Sequence, residues 1–182
     1  MYPLLSTAMT QRILLITGKP GIGKTTLICK VVAQLRHHCI GGFYTEEIRE
    51  FGQRQGFRLV TFNGEQTIIA HVKFDHSYQV GKYGVDVTVI DHFADSVIAL
   101  DENIDLYVID EIGKMECLSR SFVYRVQQLI ESNKPMLATV AKLGGGLIDA
   151  VKRRQQSELW ELTHANRDIL PSQAVEWLLQ RL

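Results

Sequence analysis

The sequence predicts an α/β fold, a three-layer α/β/α sandwich with a mostly parallel central sheet and an inserted antiparallel β-meander. Apolar strand-like runs alternate with runs of helical periodicity along most of the chain, which is typical of a parallel sheet covered by helices on both faces. Residues 42–72 break this rhythm with three strand-like runs in succession. The length of 182 residues suits a single domain over residues 11–182, preceded by an N-terminal extension over residues 1–10 in which Met9 is a second candidate start.

The elements of the parallel core follow from apolar runs and helical spacing. Leu27, Val31 and Leu35 recur at helical intervals after the first strand, and Pro135 separates the third predicted helix from the strand that follows it. Residues 73–86 are predicted to form a long loop. The predicted strands are residues 12–17, 105–110, 136–140 and 158–163, and the predicted helices are residues 24–37, 87–100, 119–132, 147–154 and 172–182.

The inserted meander is predicted as strands over residues 42–49, 56–62 and 66–72. Asn63 and Gly64 join the second of these strands to the third, and an Asn-Gly pair between apolar runs is the strongest short hairpin signal. We therefore expect residues 42–72 to form an antiparallel appendage beside the parallel core.

Composition narrows the classes of function. The charges of twenty basic and twenty acidic side chains cancel, so the net charge gives no reason to expect a nucleic-acid partner. The sequence does not indicate which protein, if any, is a partner. No apolar stretch approaches the ~18 residues of a membrane span, and no charged and apolar leader indicates secretion. Three cysteines without C-x-x-C spacing favour neither disulfides nor zinc, so a cytoplasmic location is expected.

A glycine-rich loop lies between the first strand and the first helix. Its G-x-x-x-x-G-K-T pattern follows the apolar run of residues 13–17, which is the setting that a phosphate-binding loop requires. Glycines let backbone N–H groups converge on phosphate oxygens, and the helix N-terminus adds its positive end. The sequence therefore predicts a nucleoside-triphosphate site, with Lys24 on the β- and γ-phosphates and the Thr25 hydroxyl on Mg²⁺. The predicted nucleotide-binding residues of the loop are Gly18, Lys19, Pro20, Gly21, Ile22, Gly23, Lys24, Thr25 and Thr26.

Two carboxylates, Asp110 and Glu111, end an apolar strand in the form of a Walker B segment. Parallel sheets bind their ligands at the carboxyl ends of the strands, so Asp110 is expected to contact the nucleotide and to hold Mg²⁺ through water, opposite Thr25. Glu111 is the candidate that polarises an attacking water, which is hydrolysis chemistry. Thr25 and Asp110 are thus the predicted metal ligands, and Glu111 and Lys24 the predicted catalytic residues.

Four further residues each have two interpretations. Thr139 either contacts the γ-phosphate or the attacking water, or simply packs, and Lys114 either reaches the phosphates or lies in solvent. Asn166 is predicted to hydrogen-bond the base and Arg167 to stack on it, with a capped turn as the alternative. An arginine at the phosphates would be worth roughly 10³–10⁵ in rate, and without one we expect slow turnover. The candidates are Arg49, Arg54, Arg58, Arg120, Arg153 and Arg154.

Six segments carry a family resemblance: residues 18–26, 42–49, 54–57, 80–83, 108–116 and 166–168. With their Phe-Tyr-Thr-Glu-Glu and Asp-Glu-Ile-Gly-Lys-Met-Glu stretches, they resemble the THEP-type nucleoside-triphosphatases, first known from thermophiles. The resemblance implies a RecA-like P-loop fold and Mg²⁺-dependent hydrolysis of ATP, GTP, CTP and UTP to the diphosphate. It places Asp110 and Glu111 in the metal and water roles. It also places Thr45, Glu46 and Glu47 near the site, where related kinases contact a second substrate.

Three functions are consistent with these motifs. The leading hypothesis is a slow nucleoside-triphosphatase. A nucleotide or polynucleotide kinase would use the same loop, with its acceptor against Glu46, Arg49 and the meander, and slow hydrolysis would then be leakage to water. A non-enzymatic switch would bind nucleotide tightly, turn it over negligibly and change its affinity for a partner.

Overall fold

A computed structural model describes residues 11–75 and 77–182 of the chain, so the predicted extension over residues 1–10 lies outside the described residues. The strands are β1 (Ile13–Thr17), β2 (Ile40–Glu50), β3 (Gln53–Thr61), β4 (Gln66–His71), β5 (Gln79–Val80), β6 (Tyr83–Val85), β7 (Leu106–Ile112), β8 (Met136–Val140) and β9 (Ser157–Glu161). The helices are α1 (Lys24–Gln34), α2 (Val87–Val97), α3 (Arg120–Glu131), α4 (Leu147–Lys152) and α5 (Leu170–Leu179), with a 3₁₀ helix at Glu116–Leu118.

The nine strands form one sheet in the order β5-β6-β4-β3-β2-β7-β8-β1-β9. We call β2, β7, β8, β1 and β9, which pair in parallel, the parallel half. We call β3, β4, β6 and β5, which add on by antiparallel pairing, the antiparallel half. β2 joins the two, because residues 40–43 pair in parallel with β7 and residues 43–50 pair antiparallel with β3. The predicted meander is present, but it is not a separate appendage, since it continues the central sheet.

Side chains of the parallel half alternate between the two faces of the sheet. In β1, Ile13 and Leu15 belong to an apolar core with α2, α3 and α4, whereas Leu14 and Ile16 belong to a second core with α1 and α5. All five residues of β1 and all five of β8 are buried, as expected for strands covered on both faces. Each large aliphatic side chain buried in this way contributes about 1.5–3 kcal/mol. The structure is therefore a mixed α/β fold with helices on both faces of a large sheet.

Residues 73–86 differ from the predicted long loop. They contain β5 and β6, a short hairpin whose second strand pairs with β4. Tyr83 of this hairpin is 6% exposed and meets the ring of Phe57 edge-on, with 5.1 Å between the ring centroids. Strands of two and three residues are too short to show an alternating pattern, so no periodic signal marked them in the sequence.

The ends of several elements also differ by a few residues from the prediction. β7 continues to Ile112, so Asp110 and Glu111 lie within the strand. α3 begins after Ser119, whose hydroxyl accepts a hydrogen bond from the backbone N–H of Phe122 at 2.9 Å. An N-cap of this kind is worth ~1 kcal/mol and sets where a helix starts. Within the described residues, no helix has both the length and the apolar character needed to cross a membrane.

Candidate active site

The loop between β1 and α1 has the backbone that a phosphate site needs. Gly21 and Gly23 have φ angles of 74° and 109°, in the left-handed region that favours glycine. A Cβ on Gly18 would lie 2.8 Å from the carbonyl oxygen of Leu162, so a side chain does not fit there. α1 begins at Lys24 with no side-chain cap and no acidic residue in its first turn. Its first N–H groups and its positive end are therefore available to an anion.

Asp110 lies at the centre of the site and is 2% exposed. Thr25 Oγ1 donates a hydrogen bond to its Oδ2 atom at 2.6 Å, and Thr139 Oγ1 donates to its Oδ1 atom at 2.5 Å. The backbone N–H of Thr45 donates to Oδ2 at 3.4 Å, and the Thr45 hydroxyl donates to the carbonyl oxygen of Asp110. Burial raises the pKa of Asp110, and the hydrogen bonds from Thr139 and Thr25 oppose that shift. Thr139 thus does more than pack, since it orients the carboxylate.

Lys24 and Glu111 face each other in the same site. Lys24 Nζ lies 3.4 Å from Glu111 Oε2 and also donates to the carbonyl oxygen of Gly18 at 3.4 Å. Burial raises the pKa of Glu111, and the positive charge of Lys24 opposes the shift. A carboxylate with a raised pKa is a better proton acceptor near neutral pH. The two predicted catalytic residues are therefore close enough to share one ligand.

Glu116 adds a third carboxyl group that sequence reasoning missed. It is 5% exposed, and a Cβ on Gly113 would lie 2.8 Å from its Oε2 atom, so glycine makes room for it. Burial raises the pKa of Glu116 to about 8, and the charges of Glu111 and Asp110 add to the shift. A glutamate buried by a single 3₁₀ turn leaves no periodic signal. Its one mark in the sequence is its place in the Asp-Glu-Ile-Gly-Lys-Met-Glu stretch.

These groups line an open cleft of about 580 Å³. The parallel half contributes the loop and the end of β7, with Gly18, Pro20, Gly21, Lys24, Thr25, Asp110 and Glu111. The end of β2 and the antiparallel half contribute Thr45, Glu47, Arg54, Phe57 and Val80. Residues 113–116 and 141–143 complete the lining, so Lys114 borders the cleft while its side chain is exposed. The cleft therefore extends from the glycine-rich loop to the meander.

Comparison with known proteins identifies the family. A family model described as NTPase matches residues 13–175. A curated relative, the nucleoside-triphosphatase THEP1 of Thermotoga sp. strain RQ2, is 42% identical over 158 residues, which is 86% of this chain and 90% of that protein. The chain belongs to the THEP1 nucleoside-triphosphatase family. THEP1 of Methanocaldococcus jannaschii is 37% identical over 171 residues, which is 92% of this chain and 97% of that protein.

Two solved structures share the fold of this chain. The crystal structure of THEP1 from Aquifex aeolicus superposes with a TM-score of 0.83 at 34% identity, covering 91% of this chain and 98% of that one. The solution structure of a human cancer-related nucleoside triphosphatase gives a TM-score of 0.80 at 32% identity, covering 93% of this chain and 98% of that one. The resemblance inferred from six sequence segments is thereby confirmed.

A second concavity of about 310 Å³ lies beside the loop of this THEP1-family chain, lined by Gly21, Ile22, Gly23, Thr26, Leu27, Lys30, Arg167, Asp168 and Pro171. Arg167 comes near the loop because β9 pairs with β1, as the prediction for this segment required. Asn166 is engaged in its own turn. Its Oδ1 atom accepts from the N–H of Thr163 at 2.8 Å, and its Nδ2 atom donates to the carbonyl oxygen of Glu161 at 2.9 Å. The capped turn is therefore present, and base contacts by Asn166 and Arg167 stay predictions.

Proposed function

We propose that this chain is a P-loop, Mg²⁺-dependent nucleoside-triphosphate phosphohydrolase. It converts NTP and water to NDP and phosphate and discriminates little between ATP, GTP, CTP and UTP. The observation that carries the proposal is the distance of 3.4 Å between Lys24 Nζ and Glu111 Oε2 in the cleft, because it brings a phosphate-binding cation and a candidate general base together. Three free cysteines agree with action in the cytoplasm.

Residues 18–26 hold the phosphates in this proposal. The amides of the loop and the free N-terminus of α1 donate to the β- and γ-phosphate oxygens, and Lys24 offsets their charge. Lys24 is 13% exposed at its side chain, so its charge is less screened by solvent than that of a surface lysine. Binding energy from these contacts does not depend on the base.

Thr25 and Asp110 fit a Mg²⁺ ion. Their Oγ1 and Oδ2 atoms lie 2.6 Å apart, and hydroxyl and carboxylate oxygens are the hard ligands that Mg²⁺ takes. Within residues 11–75 and 77–182, no three His, Cys, Asp or Glu side chains gather as a metal site. Thr25 and Asp110 would hold the ion, and phosphates and water would supply its other ligands. When bound, Mg²⁺ neutralises charge on the β- and γ-phosphate oxygens.

Glu111 acts on the attacking water. Its carboxylate aligns the water with the γ-phosphate and accepts the water's proton. A bond forms between the water oxygen and phosphorus while the bond from phosphorus to the β–γ bridging oxygen breaks, and that electron pair leaves with the diphosphate. Lys24 stays on the phosphate oxygens and offsets their charge through the step. The burial that raises the pKa of Glu111 makes it the stronger base.

The smaller concavity suits the base and explains broad selectivity. It adjoins the loop and carries Arg167, whose guanidinium can stack on any of the four bases. The Asn166 amide bonds Thr163 and Glu161 in its own turn, which leaves one Nδ2–H to donate to a base acceptor. Strong discrimination needs a site built to hydrogen-bond one particular group. We therefore propose that stacking on Arg167 dominates recognition of the base, with at most a single hydrogen bond from Asn166.

The substitution Glu111→Gln tests the hydrolase. It keeps the shape of the side chain and removes the proton acceptor, so kcat for ATP should fall by roughly 10²–10⁴-fold while ATP affinity is retained. Phosphate release and calorimetric titration measure the two quantities. Glu131→Gln, at a side chain 68% exposed on α3, is the matched control and should match wild type. A Glu111→Gln protein that hydrolyses ATP at the wild-type rate would show that Glu111 is not the base.

A second candidate function, phosphotransfer, is favoured by the extent of the cleft. The lining continues beyond the loop to Glu47, Arg54 and Phe57, which leaves room for an acceptor beside the γ-phosphate. A panel of nucleoside and polynucleotide acceptors with γ-labelled ATP separates the two functions. Label that moves to an acceptor much faster than to phosphate would make this chain a kinase.

A further inference from the structure

All six candidate arginines lie in the described part of the chain. Arg54 of β3 is the one among them that lines the cleft. Arg58 lies four residues further along the same strand, but its Nη2 atom pairs with Glu46 at 2.8 Å and it is absent from the lining. The two side chains are equally exposed, at 42% and 40%. Position in the sheet therefore distinguishes Arg54 from Arg58, a distinction that the sequence alone does not give.

The guanidinium of Arg54 is held from several directions. Its Nε atom donates to the hydroxyl of Tyr83 at 2.9 Å, and its Nη1 atom donates to Glu47 Oε1 at 2.7 Å. Its Cζ atom lies 5.1 Å from the ring centroid of Phe57, within cation–π range. Its Nη2 atom has no hydrogen-bond or ion-pair partner in the described part of the chain. Two nitrogens thus fix the group and leave the third free to donate to an anion.

β2 connects this group to the metal side of the cleft. The backbone N–H of Thr45 donates to Asp110, and Glu47, which holds Arg54, lies two residues further along β2. Residues two apart on a strand share a face and are about 6.6–6.8 Å apart. The held guanidinium therefore lies beyond Thr45 along β2, and it lines the same cleft as Asp110 and Lys24.

Two other cations of the cleft, Lys142 and Lys114, are less firmly held in position for contact with a phosphate. Lys142 pairs with Glu161 at 2.8 Å, and both side chains are more than half exposed. Lys114 is exposed and has no side-chain partner among the described residues. A cation that stabilises a transition state is most effective when it is already in place, because no reorganisation is then needed during the reaction. Arg54 meets that requirement and the two lysines do not.

We propose that Arg54 is a catalytic residue supplied within the same chain, whose free Nη2 donates to an oxygen of the γ-phosphoryl group during hydrolysis. This inference rests on the proposed function. The contact stabilises the negative charge on the three peripheral oxygens as the β–γ bond breaks and the water oxygen bonds to phosphorus. The proton still goes to Glu111 and the electron pair to the diphosphate. Glu47 and Tyr83 are positioning residues, since they act through Arg54.

The experiment compares wild type, Arg54→Ala, Arg54→Lys and the matched control Arg58→Ala. We expect kcat of Arg54→Ala to fall by about 10³-fold, as for other catalytic arginines of phosphoryl transfer. Arg54→Lys keeps the charge without the planar fork and should recover part of that loss. Arg58→Ala, which removes the ion-pair partner of Glu46 on the same strand pair, should keep the wild-type rate. Thermal unfolding of each protein checks whether the variants are folded.

A binding measurement tests Arg54 without turnover. Arg54→Ala should bind the diphosphate alone as wild type does. It should lose about 10²-fold in affinity for the diphosphate with aluminium fluoride, which mimics the transferring phosphoryl group. Tyr83→Phe removes one anchor of Arg54 and should give a smaller loss of the same kind. If instead Arg54→Ala weakens binding of the diphosphate and of the mimic equally, Arg54 acts on the fold or on the electrostatic potential of the whole cleft, and the proposal is overturned.

The outcomes also separate this proposal from the proposed function. If wild type hydrolyses ATP and Arg54→Ala does so within about threefold, the hydrolase stands and Arg54 is not catalytic. A matching loss in Arg58→Ala would likewise overturn the role of Arg54, since it would reflect the meander as a whole. If wild type releases no phosphate, the hydrolase fails, and the binding measurement with the mimic still decides whether Arg54 contacts the terminal phosphoryl group.

Discussion

The parallel half and the antiparallel half of the sheet meet at one cleft but are built from different kinds of sequence. β1 and β8 are buried at every position, because helices cover both faces of the parallel half. In β3 and β4, exposed and buried residues are mixed. The parallel half contributes Lys24 and Asp110 to the cleft, and the antiparallel half contributes Arg54.

This difference affects how each half holds its charged side chains. Where strands are buried on both faces, polar groups are confined to the strand ends and are tightly held, as Asp110 is by Thr25 and Thr139. Partly exposed strands can carry charged and aromatic side chains at little cost, as β3 carries Arg54 and Phe57. We therefore expect substitution of Lys24 in the parallel half to change triphosphate binding, whereas substitution of Glu111 on β7 or of Arg54 in the antiparallel half changes the chemical step after binding.

The largest effect is expected where the halves join. Gly42 of β2 has φ of 108°, and a Cβ there would overlap the carbonyl oxygen of Val108 in β7. Gly42→Ala should therefore lower the free energy of unfolding by about 3–5 kcal/mol, measured by urea denaturation.

Gly52, at the turn between β2 and β3, provides the matched control for Gly42. It also has positive φ, at 78°, but nothing lies within 4 Å of an added Cβ. Gly52→Ala should thus cost only the backbone strain, about 1 kcal/mol. Equal losses at the two glycines would mean that the junction of the halves is not tightly packed.

The next effect is confined to the parallel half. Lys24→Ala should weaken ATP binding by about 10–100-fold, since a hydrogen bond to a charged group is worth about 1.5–3 kcal/mol. The fold should be retained, and calorimetric titration with ATP measures the loss. Lys73→Ala, at an exposed lysine in the turn after β4, serves as the control. Undiminished affinity in Lys24→Ala would refute the contact between Lys24 and the triphosphate.

Sequence predicted the parallel half better than the antiparallel half, for a physical reason. Strands covered on both faces must be continuously apolar, so the runs over residues 13–17 and 136–140 marked β1 and β8. Because ligands bind at the carboxyl ends of parallel strands, the glycine-rich loop after β1 and the Asp110–Glu111 pair of β7 were then expected at the same edge of the sheet. In the antiparallel half, Asn63-Gly64 marked one hairpin, but β5 and β6 were too short to show a period.

The sequence could not predict which side chains long-range packing brings to the cleft. Arg54 and Arg58 sit four residues apart with the same kind of acidic partner across the strand pair, yet only one of them reaches the cleft lining. Asn166 follows a strand end at a suitable place for a base contact, and its side chain also closes its own turn, which the sequence offered only as an alternative. Such outcomes depend on strand register and loop closure, which no local pattern encodes.

The last effect concerns a carboxyl group that burial keeps neutral, in contrast with the exposed glutamates of β2, and it is the smallest in each step of its measurement, at about 1 kcal/mol per pH unit. Burial raises the pKa of Glu116 to about 8, whereas its ordinary value is 4.5. Between these two pH values the folded state holds one proton more than the unfolded state. The stability that this carboxyl contributes is therefore fully present below pH 4.5 and is lost as the pH rises to about 8.

Glu116→Gln should remove that dependence, because the amide matches the protonated acid in shape and does not titrate. Relative to the variant, wild type should lose about 1 kcal/mol of unfolding free energy per pH unit across the window, and the two curves should run parallel above it. Urea denaturation at pH 5, 6, 7 and 8 measures the difference, with Glu131→Gln as the exposed control. Curves for wild type and Glu116→Gln that stay parallel from pH 5 to 8 would mean that Glu116 ionises normally. The buried surroundings of Glu116 would then tolerate a charge, and its contrast with the exposed glutamates of β2 would be lost.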